Sequence, residues 1–263
     1  MTKLSIIIPV YNERLYLRRC LDSIKVAEAD LHDVEIIVID DASTDGSAEI
    51  CDEYENRVGF VVKHHKTNWG VSMARNHGLA LANGDFVTFL DSDDEMSKDG
   101  VAHMLTVCLA DHDVLQFNHY RVSVETNFCD VRYYNEPNLY RLTNLPRKWV
   151  LVWNKVYKLS FLNEHGIKFP EHVSFEEDRI FNIRVMRHQP EIYHAKAAVV
   201  LKHFDNKKSI CHTVGRDEIF KISNALTQEL KENNSPELER VIRHCLAETW
   251  DSKTAVKLFG GET

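Results

Sequence analysis

The sequence has no long hydrophobic run. The apolar segment at residues 6–8 is followed at once by Pro9, whereas a helix that spans a membrane needs about 20 apolar residues. A secretory signal peptide needs an apolar segment of about 7–15 residues behind basic residues, and the N-terminus does not show that layout. We therefore expect a cytoplasmic protein without a membrane span.

Closely paired cysteines and an excess of basic residues are missing too. The 6 cysteines among 263 residues form no Cys-x-x-Cys pair, which disfavours a zinc site and predicts reduced thiols. Acidic residues outnumber basic ones and give a formal net charge of −8. Nucleic acids attract proteins largely through basic side chains, so this charge argues against a nucleic-acid partner.

Glycine-rich phosphate loops are absent, and the first 110 residues instead alternate short apolar runs with helical patterns. No Gly-x-Gly-x-x-Gly follows the first run and no P-loop occurs, which disfavours a dinucleotide-binding fold. Strands are predicted over 4–8, 34–39 and 60–62, and helices over 13–24 and 71–82. Ser43 or Thr44 is a candidate cap for the helix after the second strand. The alternation predicts an α/β fold with a mostly parallel central sheet and helices on both faces.

The rest of the chain is less regular. Strands are predicted over 114–117 and 197–201, and helical patterns over 152–166 and from about 176. Two polar helices follow over 216–233 and 236–249, each with apolar residues at three- or four-residue spacing. We divide the chain into a domain of residues 1–214, with halves 1–110 and 111–214, and a small C-terminal helical extension, 215–263.

The stretch that organises the chain is residues 86–94, a buried apolar run that ends in acids. Asp91 and Asp93 point to the same side of an extended chain while Ser92 points to the other. Converging carboxylates repel each other unless a cation lies between them, and hard oxygen ligands suit Mg²⁺ or Mn²⁺. An acidic turn that caps the next helix is the alternative. Polar clusters also follow the first and second strands, so we expect all three at one edge of the sheet.

Six segments, in order, resemble family 2 inverting glycosyltransferases with the GT-A fold. They are SIIIPVYNE at 5–13, IDDASTDGS at 39–47, NWGVSMARN at 68–76, FLDSDD at 89–94, WNK at 153–155 and ED at 177–178. The resemblance implies a GT-A fold and an enzyme that moves a sugar from a UDP-sugar to a hydroxyl of a glycan or lipid-linked glycan. It also implies a divalent cofactor, Mn²⁺ or Mg²⁺, and a role in bacterial surface polysaccharide or lipopolysaccharide synthesis. It does not specify the sugar.

The resemblance assigns residues to the nucleotide as well. They are Pro9, Val10 and Tyr11 around the base, Glu13 at the ribose, and Asp41, Asn68, Arg75, Asp91 and Ser92 in the rest of the pocket. Asp41 would accept a hydrogen bond from a uracil N–H, because a carboxylate is only an acceptor; Asp40 is the weaker choice. Arg75 has a competing role as an ion-pair partner of one of the acids.

The metal and the base are implied in the same way. Asp93 would bind the metal directly, with Asp91 beside it and His203 as a third ligand, a structural histidine being the alternative. The metal would stabilise the negative charge on the leaving diphosphate. Asp178 would be the general base that activates the acceptor hydroxyl, with Glu177 as the alternative base or an acceptor-binding partner.

Several interpretations stay open at this point. Trp153 is either a platform for a sugar face or a core residue, and Lys202 is an equally open substrate contact. The Gln-x-x-Arg-Trp pattern of processive polysaccharide synthases is absent, which favours addition of single sugars. A sugar nucleotidyltransferase and a non-catalytic assembly subunit are the alternative functions. The C-terminal helices are expected to pack on the catalytic domain or to form a homodimer contact, with peripheral docking on a membrane as the less favoured use.

Overall fold

The computed structural model describes residues 4–24, 32–126, 128–132, 139–140, 151–204, 206, 216–232, 235–236, 238–239, 242–243 and 245. Much of the helix predicted over 236–249 lies outside these residues. Within them, no helix combines the length and the apolar character that crossing a membrane requires.

Strands and helices alternate through the first part of the chain. The elements are β1 (Leu4–Val10), α1 (Leu17–Ser23), β2 (Val34–Asp40), α2 (Ser47–Glu55), β3 (Phe60–His64), α3 (Val71–Leu81), β4 (Phe86–Phe89), β5 (Glu95–Met96) and α4 (Gly100–Cys108). The second part contains β6 (Val114–Ser123), β7 (Phe128–Arg132), β8 (Leu139–Tyr140), β9 (Lys155–Lys158), α5 (Leu159–Glu164), α6 (Glu177–Arg187), β10 (Ile192–His203) and α7 (Arg216–Lys231).

These strands form one mixed sheet in the order β3-β2-β1-β4-β9-β6-β10-β5, with β7 beside β6 and β8 beside β10. The strands β3, β2, β1 and β4 are parallel to one another. The short strand β9 runs antiparallel between β4 and β6 and joins this half to the parallel pair β6 and β10. The α/β fold class with a mostly parallel sheet is therefore confirmed.

Helices cover both faces of the sheet, because alternate strand residues point to opposite sides. Ile6 and Ile8 of β1 belong to a buried cluster with residues of α1, α2 and α4. Ile7, between them, belongs to a second buried cluster with residues of α3, α5, α6 and α7. Burial on both faces explains why the central strands are continuously apolar instead of alternating.

The register of the parallel strands brings their carboxyl ends to one edge. Val10 pairs with Asp40 at the end of β1 and β2, and Ile7 pairs with Phe89 at the end of β4. The polar residues that follow each strand therefore leave the sheet side by side. This edge is where ligands bind in open α/β sheets.

Two local predictions are wrong at the start of the chain. Helix α1 begins at Leu17 instead of near Glu13, and Leu15 is 78% exposed. The segment before α1 instead contacts the loop that follows β2, because the Asn12 N–H donates to Ser43 Oγ at 3.0 Å. That contact also occupies the predicted cap: α2 begins after Gly46, at a φ of 94°, without a side-chain cap.

The helical pattern predicted over 152–166 is wrong in its first half. Residues 155–158 form β9, and only α5 is helical. Backbone pairing of β9 with β4 and with β6 outweighs the local pattern. Residues outside this segment thus decide its backbone state, as tertiary context often does.

Candidate functional site

A single cleft at the carboxyl edge of β1, β2 and β4 gathers nearly all the predicted site residues. Its volume of about 580 Å³ lies in the range of about 300–1,000 Å³ that is usual for small-molecule sites. The lining includes Pro9, Val10, Tyr11, Glu13, Asp41, Asn68, Arg75, Asp91, Ser92, Asp93, Trp153, Glu177, Asp178 and Lys202. His203 is the predicted site residue that does not line it.

Asp41 is buried at the end of β2 and is held by the loop after β3. Its Oδ1 accepts from the Trp69 N–H at 2.9 Å and its Oδ2 accepts from the Gly70 N–H at 2.7 Å. A carboxylate offers about four lone-pair positions, so these bonds orient the side chain and leave capacity for a ligand donor. Asp40 instead contacts the His64 ring and accepts a hydrogen bond from the Ser43 N–H, so it is not placed to accept from a ligand.

Two histidines behind Asp41 were not singled out from the sequence. The ring nitrogen Nδ1 of buried His65 lies 2.7 Å from Asp41 Oδ1. Its other nitrogen, Nε2, lies 2.9 Å from His77 Nδ1, and Trp69 packs on the His65 ring. Burial and the neighbouring His65 lower the pKa of His77. The His65 ring thus lies between Asp41 and His77, where it could hold that carboxylate in position.

The acids after β4 form a cluster that suits a hard cation. Carboxylate oxygens of Asp91, Asp93 and Asp94 all lie within 4.8 Å of one another, which makes these three side chains candidate ligands for one Mg²⁺ or Mn²⁺. Asn206 also reaches this cluster, with its Nδ2 donating to Asp93 Oδ2 at 3.0 Å. Asp94 and Asn206 were not among the predicted site residues.

Lys202, at the end of β10, places its ammonium among these carboxylates. The Nζ atom lies 2.8 Å from Asp94 Oδ2, 3.2 Å from Asp91 Oδ2 and 3.9 Å from Asp93 Oδ1. Burial opposes the charge on Lys202, but Asp94, Asp91 and Asp93 outweigh it and hold the lysine pKa well above its ordinary value. Burial is the largest effect on Asp91 and by itself raises the pKa of that acid. The charges of Lys202 and Arg75 together nevertheless keep this pKa below its ordinary value.

His203 is one residue further along but faces a different neighbour. Its Nε2 lies 2.7 Å from Glu95 Oε1, and its backbone N–H donates to Asp94 Oδ1 at 2.8 Å. Successive strand residues point to opposite faces, so Lys202 and His203 cannot both face the acids. The contacts of His203 therefore fit the structural role, which was the alternative interpretation, and do not support it as a third metal ligand.

Arg75, from α3, joins the two acidic groups of the cleft. Its NH1 donates to Glu177 Oε1 at 2.7 Å and to Asp178 Oδ1 at 2.8 Å. Its NH2 donates to Asp91 Oδ1 at 2.9 Å. The Arg75 side chain is only 3% exposed, so the ion-pair role, one of the two that the sequence left open, is the one that the structure shows.

Glu177 and Asp178 occupy the first turn of α6, where a helix dipole favours acids. Glu176 precedes them in the left-handed region, at a φ of 63°, and turns the chain into the helix. Burial and the Asp178 charge raise the pKa of Glu177 to about 8, against the opposing effect of Arg75. Burial raises the pKa of Asp178 too, again opposed by Arg75. Raised carboxyl pKa values are what a general base working near neutral pH requires.

Trp153 lines the cleft, although most of its side chain is buried in the core. It is 3% exposed, its ring meets His119 edge-on, and the Lys202 ammonium lies 5.7 Å from the ring centroid. The adjacent Lys155 Nζ donates to Leu151 O and Asn154 Oδ1. The backbone turn that these contacts hold presents the Val152 N–H to Asp178 Oδ2 at 3.2 Å.

Comparison with known sequences agrees with this geometry. A family model described as Glycosyl transferase family 2 matches residues 5–163. The putative glycosyltransferase EpsH of Bacillus subtilis (strain 168) is 28% identical over 97% of this chain and 79% of its own length. The poly(ribitol-phosphate) beta-N-acetylglucosaminyltransferase TarS of Staphylococcus aureus (strain Mu50 / ATCC 700699) is 30% identical over 70% of this chain but only 32% of its own length.

Solved structures share the fold. A crystal structure of S. aureus TarS residues 1–349 in complex with UDP-GlcNAc has a TM-score of 0.81 at 23% identity, covering 98% of this chain and 75% of that one. The mannosyltransferase PcManGT from Pyrobaculum calidifontis, in complex with GDP-Man and Mn²⁺, has a TM-score of 0.66 at 18% identity, covering 99% of this chain and 76% of that one.

Proposed function

This chain belongs to glycosyl transferase family 2, and we propose that it transfers a sugar from a UDP-sugar to a hydroxyl of a glycan acceptor with inversion, in one metal-assisted displacement. The observation that carries the proposal is the composition of the cleft. A carboxylate held by backbone N–H groups, a cluster of acids and a carboxylate pair with raised pKa values line the same cavity. These three parts match the base, the diphosphate and the acceptor hydroxyl that the proposed reaction brings together.

The uridine base is proposed to lie between Tyr11 and Asp41. Tyr11 is 48% exposed at the cleft wall, so its ring is accessible for stacking. Asp41, held by two backbone N–H groups, accepts the uracil N3–H. Cytosine has no hydrogen on that nitrogen, so this contact favours UDP over CDP.

The diphosphate belongs beside the acid cluster. Asp93 and Asp91, with Asp94 behind them, are the residues that would hold Mn²⁺ or Mg²⁺. When bound, such an ion supplies Lewis-acid stabilisation of the charge on the departing diphosphate. The TarS and PcManGT complexes, which contain a UDP-sugar and Mn²⁺ respectively, support a nucleotide-sugar and a divalent ion for this fold.

The reacting face of the sugar is proposed to meet Asp178. The carboxylate accepts the proton of the acceptor hydroxyl while that oxygen bonds to sugar C1 and the C1–O bond to the diphosphate breaks. Arg75 and the Val152 N–H hold both carboxylate oxygens in place. One attack on one face inverts the anomeric centre. The poly(ribitol-phosphate) in the name of TarS supports a hydroxyl-bearing polymer as the class of acceptor.

A donor screen tests this function without knowledge of the acceptor. Slow hydrolysis of UDP-GlcNAc, UDP-glucose, GDP-mannose and CDP-linked sugars is measured with Mn²⁺ and again with excess EDTA. We expect hydrolysis of a UDP-sugar only, lost with EDTA and restored by added Mn²⁺. Hydrolysis of a GDP- or CDP-sugar in its place contradicts the base assignment, and equal rates with EDTA contradict metal assistance.

A further inference from the structure

The Lys202 ammonium lies where a divalent ion would have to bind. It contacts oxygens of Asp91 and Asp94 at 3.2 and 2.8 Å and lies 3.9 Å from Asp93. An ion with metal–oxygen distances of about 2.0–2.1 Å would use these same carboxylates. The ammonium and a divalent ion at this position carry charges of the same sign and would repel each other. The lysine and the metal therefore compete for one position.

The Lys202 side chain can also move to a second position in the cleft. Its side chain is 30% exposed and lines the cleft, and its four-carbon stem is flexible with a compact charge at the end. The destination with a matching charge is a diphosphate bound over the acid cluster.

We propose that Lys202 is an internal counter-ion that closes the acid cluster to free divalent metal, so that metal binds appreciably only together with the nucleotide diphosphate. The proposal rests on the metal-assisted function above and adds the order of loading. By linkage, the factor by which UDP tightens Mn²⁺ equals the factor by which Mn²⁺ tightens UDP. Lys202 sets the size of that factor, because the diphosphate removes the cation that competes with the metal.

Titration with Mn²⁺ alone tests whether Lys202 excludes free metal. The readout is the electron paramagnetic resonance signal of free Mn²⁺. Lys202→Met should bind Mn²⁺ more tightly than the parent by about 5–150-fold, the usual range for coupled sites. Lys202→Arg, which keeps the charge, should resemble the parent. Lys98→Met removes an exposed positive charge just beyond the cluster and controls for net charge. Thermal unfolding of each variant shows that it is folded.

Repeating the titration with saturating UDP tests the second half of the proposal. UDP should tighten Mn²⁺ strongly in the parent and much less in Lys202→Met. Equal Mn²⁺ affinity of the parent and Lys202→Met, with metal-dependent UDP binding intact, overturns the lysine's role and leaves the proposed function standing. Absence of Mn²⁺ binding in every variant, with and without UDP, overturns metal assistance and this inference together.

Discussion

At the scale of single residues, Arg75 explains how one cleft accommodates so many acids. Its guanidinium binds Asp91 on one side and Glu177 and Asp178 on the other. An arginine stays charged at every relevant pH and its planar fork suits several carboxylates at once. The proposed nucleotide side and the proposed acceptor side of the cleft are thus joined through one buried cation.

Asp178→Asn is the substitution that tests the proposed mechanism. A base acts only in the transition state, so kcat should fall by about 10²–10⁴-fold while UDP affinity stays within a few-fold of the parent. Glu177→Gln is the matched control and should be milder if Glu177 binds only the acceptor. NMR of the product anomeric proton should show inversion. Retention of configuration would remove Asp178 from this role whatever the rates.

The pH profile tests the coupled pair at α6. Because burial raises the pKa of both carboxyls, the pair holds a proton at pH values where an ordinary carboxyl is charged. Activity should therefore fall as pH drops through an apparent pKa clearly above about 4, the usual carboxyl value. Glu177→Gln removes the carboxyl whose pKa is raised to about 8, leaves Asp178 with Arg75 and Asp91 unchanged, and should move this limb to lower pH. A limb that does not move contradicts the coupling.

His65→Ala tests whether the buried histidine positions Asp41. A hydrogen bond to a charged group contributes about 1.5–3 kcal/mol, so UDP should bind roughly ten- to a hundredfold more weakly. His77→Ala is the control, because His77 contacts His65 and not Asp41, and its effect should be smaller. Calorimetric titration with UDP gives both values. Equal losses in the two variants would mean that the pair acts only on stability.

At the scale of elements, α3 lies against β1 because Gly78 has no side chain. A Cβ there would lie 2.4 Å from Ile7 Cγ2, far inside normal contact. This close approach places Arg75, one turn earlier on the same helix, over the ends of β1 and β4. The close packing of this helix on β1 therefore depends on the absence of a side chain at residue 78.

Gly78→Ala measures that close approach. Helix propensity alone would favour alanine by about 1 kcal/mol, yet overpacking a core costs about 1–3 kcal/mol. We expect a net loss in the free energy of unfolding by urea. Ala80→Gly, at an exposed position of the same helix, should show only the propensity cost. A Gly78→Ala variant more stable than the parent would show that β1 and α3 separate freely.

At the scale of the whole molecule, α7 supports the segment that carries Glu177 and Asp178. Glu218 accepts hydrogen bonds from the Ser174 and Phe175 N–H groups, just before α6. Glu229, nearly buried, pairs with Arg184 and Arg187 of α6. Ile222 and Leu226 belong to the core cluster that also contains residues of α6. The described part of the C-terminal extension thus packs on the catalytic domain.

Truncation after Gly215 tests this support. The shortened chain should be less stable and should self-associate, because it exposes the apolar surface that α7 covers. Light scattering and thermal unfolding compare it with the full chain. Two identical, equally stable monomers would contradict the packing role and would also exclude a homodimer formed through these helices.

The sequence by itself determined the parts of this protein that depend on local pattern. Apolar runs predicted the first strands, the acids after β4 predicted the cation cluster, and parallel strand ends predicted that Tyr11, Asp41 and Asp91 meet at one edge. These follow because backbone state and the direction of alternate side chains are properties of a few neighbouring residues.

Only the tertiary structure decided which side chains face one another across the cleft. Arg75 and Asp178 are separated by 103 residues and Lys202 and Asp91 by 111, so their contacts depend on strand order and register. The same dependence turned residues 155–158 into a strand and turned His203 away from the acids. Shifting a strand by one residue moves every side chain to the other face, and a local sequence pattern does not contain that register.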